Sequence, residues 1–433
     1  MPTRPPARLL RRLVLLEEGE APALLWSTLY FFLLLFGFYL LRPVREAMGI
    51  ARGADKLPWL MTGTLLAMVL ANPAFATLVS KLPRKRFIPQ TYRFFALNML
   101  AFLLAFRLLP NHGGAALGYA FYIWLSVFNL FVVSVFWGLM SDVWTEAQGK
   151  RLFGFIATGG TLGAIAGAAL TGALTRGFTL GGLRMKVDPL SLLLVSMLTL
   201  ELAVGCVRRL AAIFALGDQA HGEREPGPGP LEGLRLIATS RYLQLICAYM
   251  LLFTITSTFL YLEQGAIVAR TFAGTADRTA AFARIDLWVN VLTLATQVFL
   301  TGRLLTGLGI PFVLAILPVL SLAGFGALWL WPTFGVMALF QVLRRGLHYA
   351  VDRPAREILY IPLGPEERYK SKPFIDTFVY RGGDLLGVWA PTAFAALAIP
   401  LGAAAVSTSA LWGAAALALG RARRGNGPTA RPR

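Results

Sequence analysis

Charge is scarce in this sequence. Charged residues make up 15% of its 433 positions, whereas hydrophobic residues make up 56%. A soluble chain of this length would fold as two or three domains and would need a far more polar surface. Instead, apolar segments of about twenty residues, each long enough to cross a bilayer as a helix, recur along the whole chain. The composition therefore predicts a polytopic helical membrane protein.

Acidic residues are scarcer than basic ones: 22 Asp and Glu against 41 Lys and Arg give a formal net charge of +19. Such an excess also occurs in nucleic-acid-binding proteins, but here most cations lie in short loops between apolar segments. Orientation in the membrane and attraction to anionic lipid explain that distribution. We therefore expect a lipid bilayer and no nucleic acid as partner, and both termini on the cytoplasmic side of a bacterial inner membrane.

Cysteine and histidine are nearly absent. Cys206 and Cys247 both lie in apolar segments, which predicts free core thiols instead of a disulfide. Three histidines are too few for a His-rich metal site or a bis-histidine haem. The glycines of Gly159–Gly163 are not followed by Lys-Ser/Thr and so form no phosphate loop; they predict close helix packing instead. We expect no cofactor, no metal and no ATP-driven pumping.

Twelve apolar segments predict twelve membrane spans. Their boundaries are 23–41, 57–79, 94–109, 115–140, 152–174, 190–207, 242–262, 283–300, 310–331, 333–350, 374–398 and 400–420. The stretch Arg208 to Ser240 contains Glu223-Arg-Glu-Pro-Gly-Pro-Gly-Pro230 and separates six spans from six. The predicted segments are a cytoplasmic amphipathic N-terminus (1–20), a first six-helix half (21–207), a cytoplasmic linker (208–240), a second half (241–420) and a basic cytoplasmic tail (421–433).

An internal repeat relates the two halves. The Ile-Pro pairs at Ile88 and Ile310 are 222 residues apart, and so are Lys150 and Lys372. Gly159-Gly160 and Gly382-Gly383 are 223 residues apart. Two parallel six-helix halves joined by a cytoplasmic linker are the architecture of major facilitator transporters. The predicted fold is therefore all-α and of the major facilitator type, with two pseudo-symmetric halves.

Three stretches together resemble one family: Glu18-Gly19-Glu20, Leu41-Arg-Pro-Val-Arg-Glu-Ala-Met-Gly49, and residues 142–160. They resemble bacterial members of the nucleotide exchange (ATP/ADP translocase-like) family, a branch of the major facilitator superfamily. The resemblance implies exchange of nucleoside triphosphate for diphosphate. It also implies a basic–acidic pair at the end of the first helix, and Arg45-Glu46 occupies that place, with Arg where Lys is usual.

Charged residues at membrane depth are the main candidates for a binding site. At about 1.5 Å per residue, Arg344 and Arg345 lie roughly 17 Å inside the tenth span, and Asp384 lies roughly 15 Å inside the eleventh, with Arg381 one turn shallower. Each such charge costs about 2.5–3.5 kcal/mol unless it faces water or a partner. Two interpretations stay open: an internal Arg–Asp salt bridge, or the cationic wall of a cavity for an anionic substrate. The excess of arginine favours the cavity.

The same two spans continue this pattern toward the cytoplasm. Arg345, Tyr349, Asp352 and Arg356 fall on one helical face, which predicts that the cavity wall leads to a cytoplasmic gate. A solvated face beyond the helix end also explains Arg356. Asp376, Tyr380 and Asp384 share a face of the eleventh span, where Tyr380 either stacks on a base or packs.

Three further sites are candidates. Arg42, Arg45 and Glu46 follow the first span, and they predict either a cavity mouth for anions, with Pro43 breaking the helix, or anchoring of the two arginines to lipid headgroups. Glu201 is mid-span in the sixth helix and serves either coupling or packing. Asn129 could line the path or bond across helices.

These features together predict a secondary transporter that is not an enzyme, is expected to work as a monomer, and exchanges an organic anion by alternating access. A nucleotide or phosphorylated metabolite is the favoured substrate. Proton-coupled transport of an unrelated metabolite or drug is the rival, with Glu201 or Asp384 titrating. An intramembrane lipid-modifying enzyme is a third hypothesis, for which only His348 with Asp352 could supply a catalytic pair.

Overall fold

The computed structural model describes residues 17, 19–81, 84–109, 114–180, 183–185, 187–214, 230–364, 367, 371–372 and 374–425. Most of the predicted amphipathic N-terminus, the Pro-Gly part of the linker and the end of the basic tail lie outside these residues. Within them, twelve helices of 14 residues or more overlap the twelve predicted spans. We label these α1 to α12.

The first six helices are α1 (Glu20–Gly49), α2 (Leu57–Lys81), α3 (Arg84–Leu108), α4 (Gly114–Val143), α5 (Glu146–Arg176) and α6 (Leu192–Ile213). The next six are α7 (Arg241–Thr271), α8 (Thr275–Phe299), α9 (Ile310–Leu330), α10 (Phe334–Leu347), α11 (Tyr380–Ala396) and α12 (Leu401–Gly425). Short helices occupy Pro230–Thr239, Thr301–Gly307 and Arg353–Leu359.

The chain departs from a purely helical fold at one place in the described residues. Between α5 and α6, Phe178–Leu180 pairs antiparallel with Leu183–Met185 in a two-stranded hairpin. Three-residue strands form no sheet core of their own. The all-α prediction therefore holds for everything that spans the membrane, and the hairpin is a detail of one loop that the sequence pattern did not show.

Eight helices of the described chain are long and apolar enough to span a membrane by themselves: α1, α3, α4, α5, α6, α7, α9 and α12. α8 passes the same test together with Thr301–Gly307, to which it is joined by a bend of 54°. α10 and α11 are the shortest of the twelve helices, with 14 and 17 residues, and a π-helical segment adjoins each of them.

Two compact units divide the chain. Unit 1 comprises Met1–Arg52, Gly63–Glu223 and Phe272–Leu287. Unit 2 comprises Gly53–Thr62, Arg224–Thr271 and Trp288–Arg433.

In unit 1, α1 packs on α4, α5 and α6, and α3 packs on α4 and α6. In unit 2, α7 packs on α10, α11 and α12, and α9 packs on α10 and α12. The second pattern repeats the first with every helix number raised by six.

The contact between α1 and α5 depends on glycine. A Cβ atom added at Gly159, Gly163 or Gly167 would lie 2.5, 2.3 or 2.6 Å from the carbonyl oxygen of Thr28, Phe32 or Phe36, respectively. Both series advance by four residues, so the two helices touch backbone to backbone along one stripe. The predicted close packing is confirmed. In unit 2, Gly383 of α11 faces the Thr254 side chain of α7, and Gly387 faces the Ile255 backbone.

We expect Gly163→Ala to lower the free energy of unfolding by about 1–3 kcal/mol, because the new methyl group would meet a backbone carbonyl that cannot rotate away. Gly154→Ala is the matched control: it lies on the same helix, and nothing is within 4 Å of its added Cβ. That variant should be neutral, or up to about 1 kcal/mol more stable through helix propensity. Thermal unfolding of both variants in detergent measures the difference, and equal midpoints would contradict the packing described above.

Candidate functional site

The two interrupted helices of unit 2 define the candidate site. α10 passes into a π-helical segment at His348–Asp352, and α11 begins with another at Ile375–Val379. A π-helical turn accommodates an extra residue and shifts the side chains that follow it. Such turns are concentrated at functional sites, since they sacrifice regular hydrogen bonding for a particular side-chain placement. Both segments face the same cavity.

This cavity lies within unit 2 and has a volume of about 310 Å³. It is bordered by the first turns of α7, by the π-helical end of α10 with the segment after it, and by the start of α11. Its lining residues are Ile246, Tyr249, Met250, His348, Tyr349, Arg353, Arg356, Glu357, Leu359, Tyr360, Asp376 and Tyr380. The structure thus brings Arg356 of the predicted tenth-span face together with Asp376 and Tyr380 of the predicted eleventh-span face.

A buried carboxylate supports one wall of the cavity. Asp352 has a side-chain exposure of 1% and accepts a hydrogen bond of 2.6 Å from the hydroxyl of Tyr249 on α7. Its other oxygen lies 3.0 Å from His348 Nδ1 and 3.1 Å from Arg356 Nε. His348 also stacks on Phe253, with ring centroids 4.4 Å apart. This cluster joins α7 to the end of α10, so the His348–Asp352 pair contributes to the packing of these two helices.

The predicted single face through Arg345, Tyr349, Asp352 and Arg356 is interrupted by this arrangement. Tyr349 and Arg356 line the cavity, while Asp352 points to α7 and is not part of the lining. The prediction used 3.6 residues per turn, and the π-helical segment breaks that periodicity between Tyr349 and Arg356. Arg345 is half-buried.

Arg344 is fully buried, with 3% of its surface exposed, and it is held by neutral acceptors. Its guanidinium donates to the hydroxyls of Ser321, Ser257 and Thr256 at 2.8–2.9 Å and to the Phe253 carbonyl at 3.3 Å. It also lies 5.6 Å from the centre of the Trp412 ring. The alternative of an Arg344–Asp384 salt bridge is therefore wrong, because hydroxyls of α7 and α9 occupy its donors.

Asp384 pairs within its own helix instead. Its carboxylate lies 3.4 Å from Arg381 Nη1, one turn away. Both side chains are partly exposed, at 23% and 41%. Depth along two neighbouring spans was thus a poor guide to contact, since it ignores the direction in which each side chain leaves its helix.

The charges after the first span are buried in unit 1. Arg42 is ion-paired with Asp286, and Arg45 lies 2.7 Å from Glu46 and 3.9 Å from the centre of the Tyr122 ring. Arg45 Nε also donates to the Tyr122 carbonyl at 3.1 Å. With exposures of 18% and 15%, the two arginines are protein-bound, so anchoring to lipid headgroups is wrong.

α1 also continues without interruption past Pro43 to Gly49, so the predicted break there is wrong. The remaining predicted residue of unit 1, Asn129, is half-buried on α4.

Glu201 has a partner that the sequence did not reveal. Arg93 on α3 binds its carboxylate at 2.7 Å, and both side chains are about half exposed. The pair links α3 to α6 at the surface of unit 1. Two of the three stretches that carry the family resemblance also meet in this unit: Glu20 accepts hydrogen bonds from Gln148 and Arg151. The start of α1 is thereby joined to the start of α5.

Several cavity residues were missed in the sequence. Tyr249 and Met250 lie in the seventh span, which carries no membrane-buried charge near them, so nothing marked them out. Arg353, Glu357 and Tyr360 follow the tenth predicted span and lie beyond its last residue, 350. Arg353 and Glu357 are four residues apart, and Glu357 and Tyr360 are three apart, so all three fall on one face of a helix. This spacing is the signal in the sequence that could have identified them.

No protein-family model matches the sequence, and no curated protein matches it. Solved structures do match. One is a bacterial homologue of the human lysosomal transporter Spinster in an inward-facing, unoccupied conformation, at 13% identity and a TM-score of 0.58, covering 93% of this chain and 94% of that chain.

Two others are a bacterial homologue of the iron transporter ferroportin in an inward-facing state (14%, 0.59, covering 90% and 98%) and the nucleoside transporter NupG (14%, 0.55, covering 93% and 98%). Likeness at this identity concerns the fold. The chain is a multi-pass membrane protein with the major facilitator fold, as predicted.

The different partners of Arg344 and Arg356 predict that the same substitution destabilises the protein at one position far more than at the other. Arg356→Gln leaves Asp352 buried without its cation, and we expect a loss of about 3 kcal/mol and a low yield of folded protein. Arg344→Gln leaves no carboxylate unpaired. It removes the cost of burying a guanidinium, and this gain offsets the lost hydrogen bonds. The free energy of unfolding should therefore stay within about 2 kcal/mol of the parent value.

Yield and thermal unfolding of the two variants test this difference. Adding Asp352→Asn to Arg356→Gln should restore part of the stability, because the uncompensated charge is removed. Adding Asp384→Asn to Arg344→Gln should change little. A collapse of Arg344→Gln that Asp384→Asn rescues would show that Arg344 needs Asp384 after all.

Proposed function

We propose that this chain is a secondary active transporter that exchanges an organic anion across the bacterial inner membrane by alternating access. A nucleotide or phosphorylated metabolite fits the proposal best. The major facilitator fold supports transport, since its two six-helix units serve to expose one site to either side in turn. The substrate class rests on the electrostatics of unit 2.

One observation carries the anion proposal: Arg344 holds a positive charge inside unit 2 that is bound only by hydroxyls and a carbonyl. Hydroxyl dipoles spread such a charge but do not cancel it. Burying an uncancelled guanidinium costs several kcal/mol. A fold that keeps it gains a fixed positive potential, which is strongest where water is excluded.

The other charges around the cavity do not reverse that sign. Asp352, Glu357 and Asp384 each have a basic partner within 4 Å: Arg356, Lys372 and Arg381, respectively. Within the described part of the chain, Arg344 and Arg353 have no carboxylate at that distance, and Asp376 is the remaining acid that lines the cavity. The balance is one positive charge in excess, which attracts an anion.

The resemblance of Arg45-Glu46 and of residues 142–160 to nucleotide exchangers supports exchange as the mode of coupling. Among the similar structures, one is described as a nucleoside transporter. Exchange requires substrate on both sides of the membrane. Proton-coupled transport requires a proton gradient instead. The two modes are therefore separated by what the interior of a vesicle must contain.

We expect uptake of radiolabelled phosphorylated metabolites into proteoliposomes to be stimulated by the same unlabelled compound inside. Arg353→Gln should lower this uptake about tenfold, the value of one charge-assisted hydrogen bond of about 1.4 kcal/mol. Arg303→Gln is the matched control, since Arg303 is an exposed arginine of the same unit outside the cavity lining. Equal uptake into empty vesicles that follows an imposed proton gradient would replace exchange by proton coupling.

A further inference from the structure

Tyr360 carries a hydroxyl group that the described part of the protein leaves without a partner. The residue is 4% exposed, its oxygen is buried, and no hydrogen bond reaches it. The side chain lines the cavity of unit 2. A buried hydroxyl without a partner costs stability, and a phenylalanine would avoid that cost. An unused donor at the wall of a polar cavity indicates a bound group that accepts a hydrogen bond from it.

Arg356 stands at the same cavity with donors that are poorly used. One side of its guanidinium is paired with Asp352. Its Nη1 is directed at the sulfur of Met250, and the guanidinium carbon lies 5.2 Å from the centre of the Phe253 ring. A thioether is a weak acceptor. The arginine therefore keeps hydrogen-bonding capacity for a stronger acceptor, and Arg353 adds a second positive charge to the same lining.

The cavity also limits the size and the polarity of its occupant. A volume of about 310 Å³ corresponds to about ten water molecules at roughly 30 Å³ each. Asp376 lines the cavity as well, and it would repel a second anionic group but would accept hydrogen bonds from hydroxyl groups. The lining thus offers hydrogen-bond donors for an oxyanion at Tyr360 and Arg356, and an acceptor for hydroxyl groups at Asp376.

We propose that this cavity binds a small hydroxylated phosphate monoester, whose phosphate accepts hydrogen bonds from Tyr360 and Arg356 and whose hydroxyl groups donate to Asp376. The proposal rests on the transport of an anion proposed above and specifies where its phosphate is held. A larger phosphorylated substrate would place only its phosphate end here. The headgroup of phosphatidylglycerol presents the same chemistry, so free ester and lipid must be tested separately.

Two neighbouring tyrosines provide the test. Tyr360→Phe removes the unused donor, so without ligand it should unfold at the same temperature as the parent or higher. It should bind glycerol phosphate at least tenfold more weakly, because a hydrogen bond to a charged acceptor is lost. Tyr242→Phe is the control, since the Tyr242 hydroxyl donates to the Leu359 carbonyl at 2.8 Å and does not line the cavity. It should unfold at a lower temperature and bind the ester with unchanged affinity.

Binding is measured by calorimetry on the purified full-length protein in nanodiscs of neutral lipid, with and without phosphatidylglycerol. Tighter binding of the free ester by the parent than by Tyr360→Phe in neutral nanodiscs supports the proposal. If phosphatidylglycerol stabilises the protein and the free ester does not, the cavity binds lipid and the proposal of a free phosphate ester is overturned. Equal affinity of parent and Tyr360→Phe overturns the site, while anion uptake by the parent would leave the transport function standing. Absence of both binding and uptake would instead overturn the transport function.

Discussion

A charge inside a membrane protein must find its partner within the chain, and this constraint organises both units. Water is scarce at hydrocarbon depth, so a buried guanidinium or carboxylate is matched by side chains of its own helix or of other helices. Asp352 is the clearest case, since Tyr249, His348 and Arg356 converge on it from two elements. Arg45 with Glu46 and Tyr122 serves the same purpose in unit 1. These contacts fix the ends of the helices that surround them.

The two units share a packing plan but use it differently. In each, the first helix is surrounded by the fourth, fifth and sixth, and glycines allow the closest of these approaches. Unit 1 keeps regular helices in those positions. Unit 2 interrupts two of them with π-helical segments at His348–Asp352 and Ile375–Val379, and its cavity lies between these interruptions. Both units therefore share one packing plan, and the two π-helical segments beside the cavity are a departure from it in unit 2.

Arg344 differs from the other buried charges because its acceptors are neutral. Three hydroxyls and a carbonyl satisfy its hydrogen-bonding capacity without cancelling its charge. Its position is thereby fixed, while its charge and the field of that charge are not cancelled. A salt bridge would have fixed the side chain equally well but would have removed the field. The choice of partners thus decides whether a buried arginine keeps its electrostatic field.

The sequence by itself determined the class, the number of long helices and the repeated plan, because these depend on local hydropathy, on loop composition and on spacing along the chain. It also marked most of the charged residues of α10 and α11 as candidates, since a charge within an apolar run is costly wherever it points. Only the tertiary structure decided the partners. Arg344 donates to hydroxyls and not to Asp384, Arg42 pairs with Asp286, and Glu201 pairs with Arg93.

The tertiary structure also brings Tyr249 and Tyr360 to the cavity, although neither stood out in the sequence. The physical reason is that a side chain's direction depends on helix rotation, on π-helical turns and on crossing angles, all of which are set by the packing of distant segments.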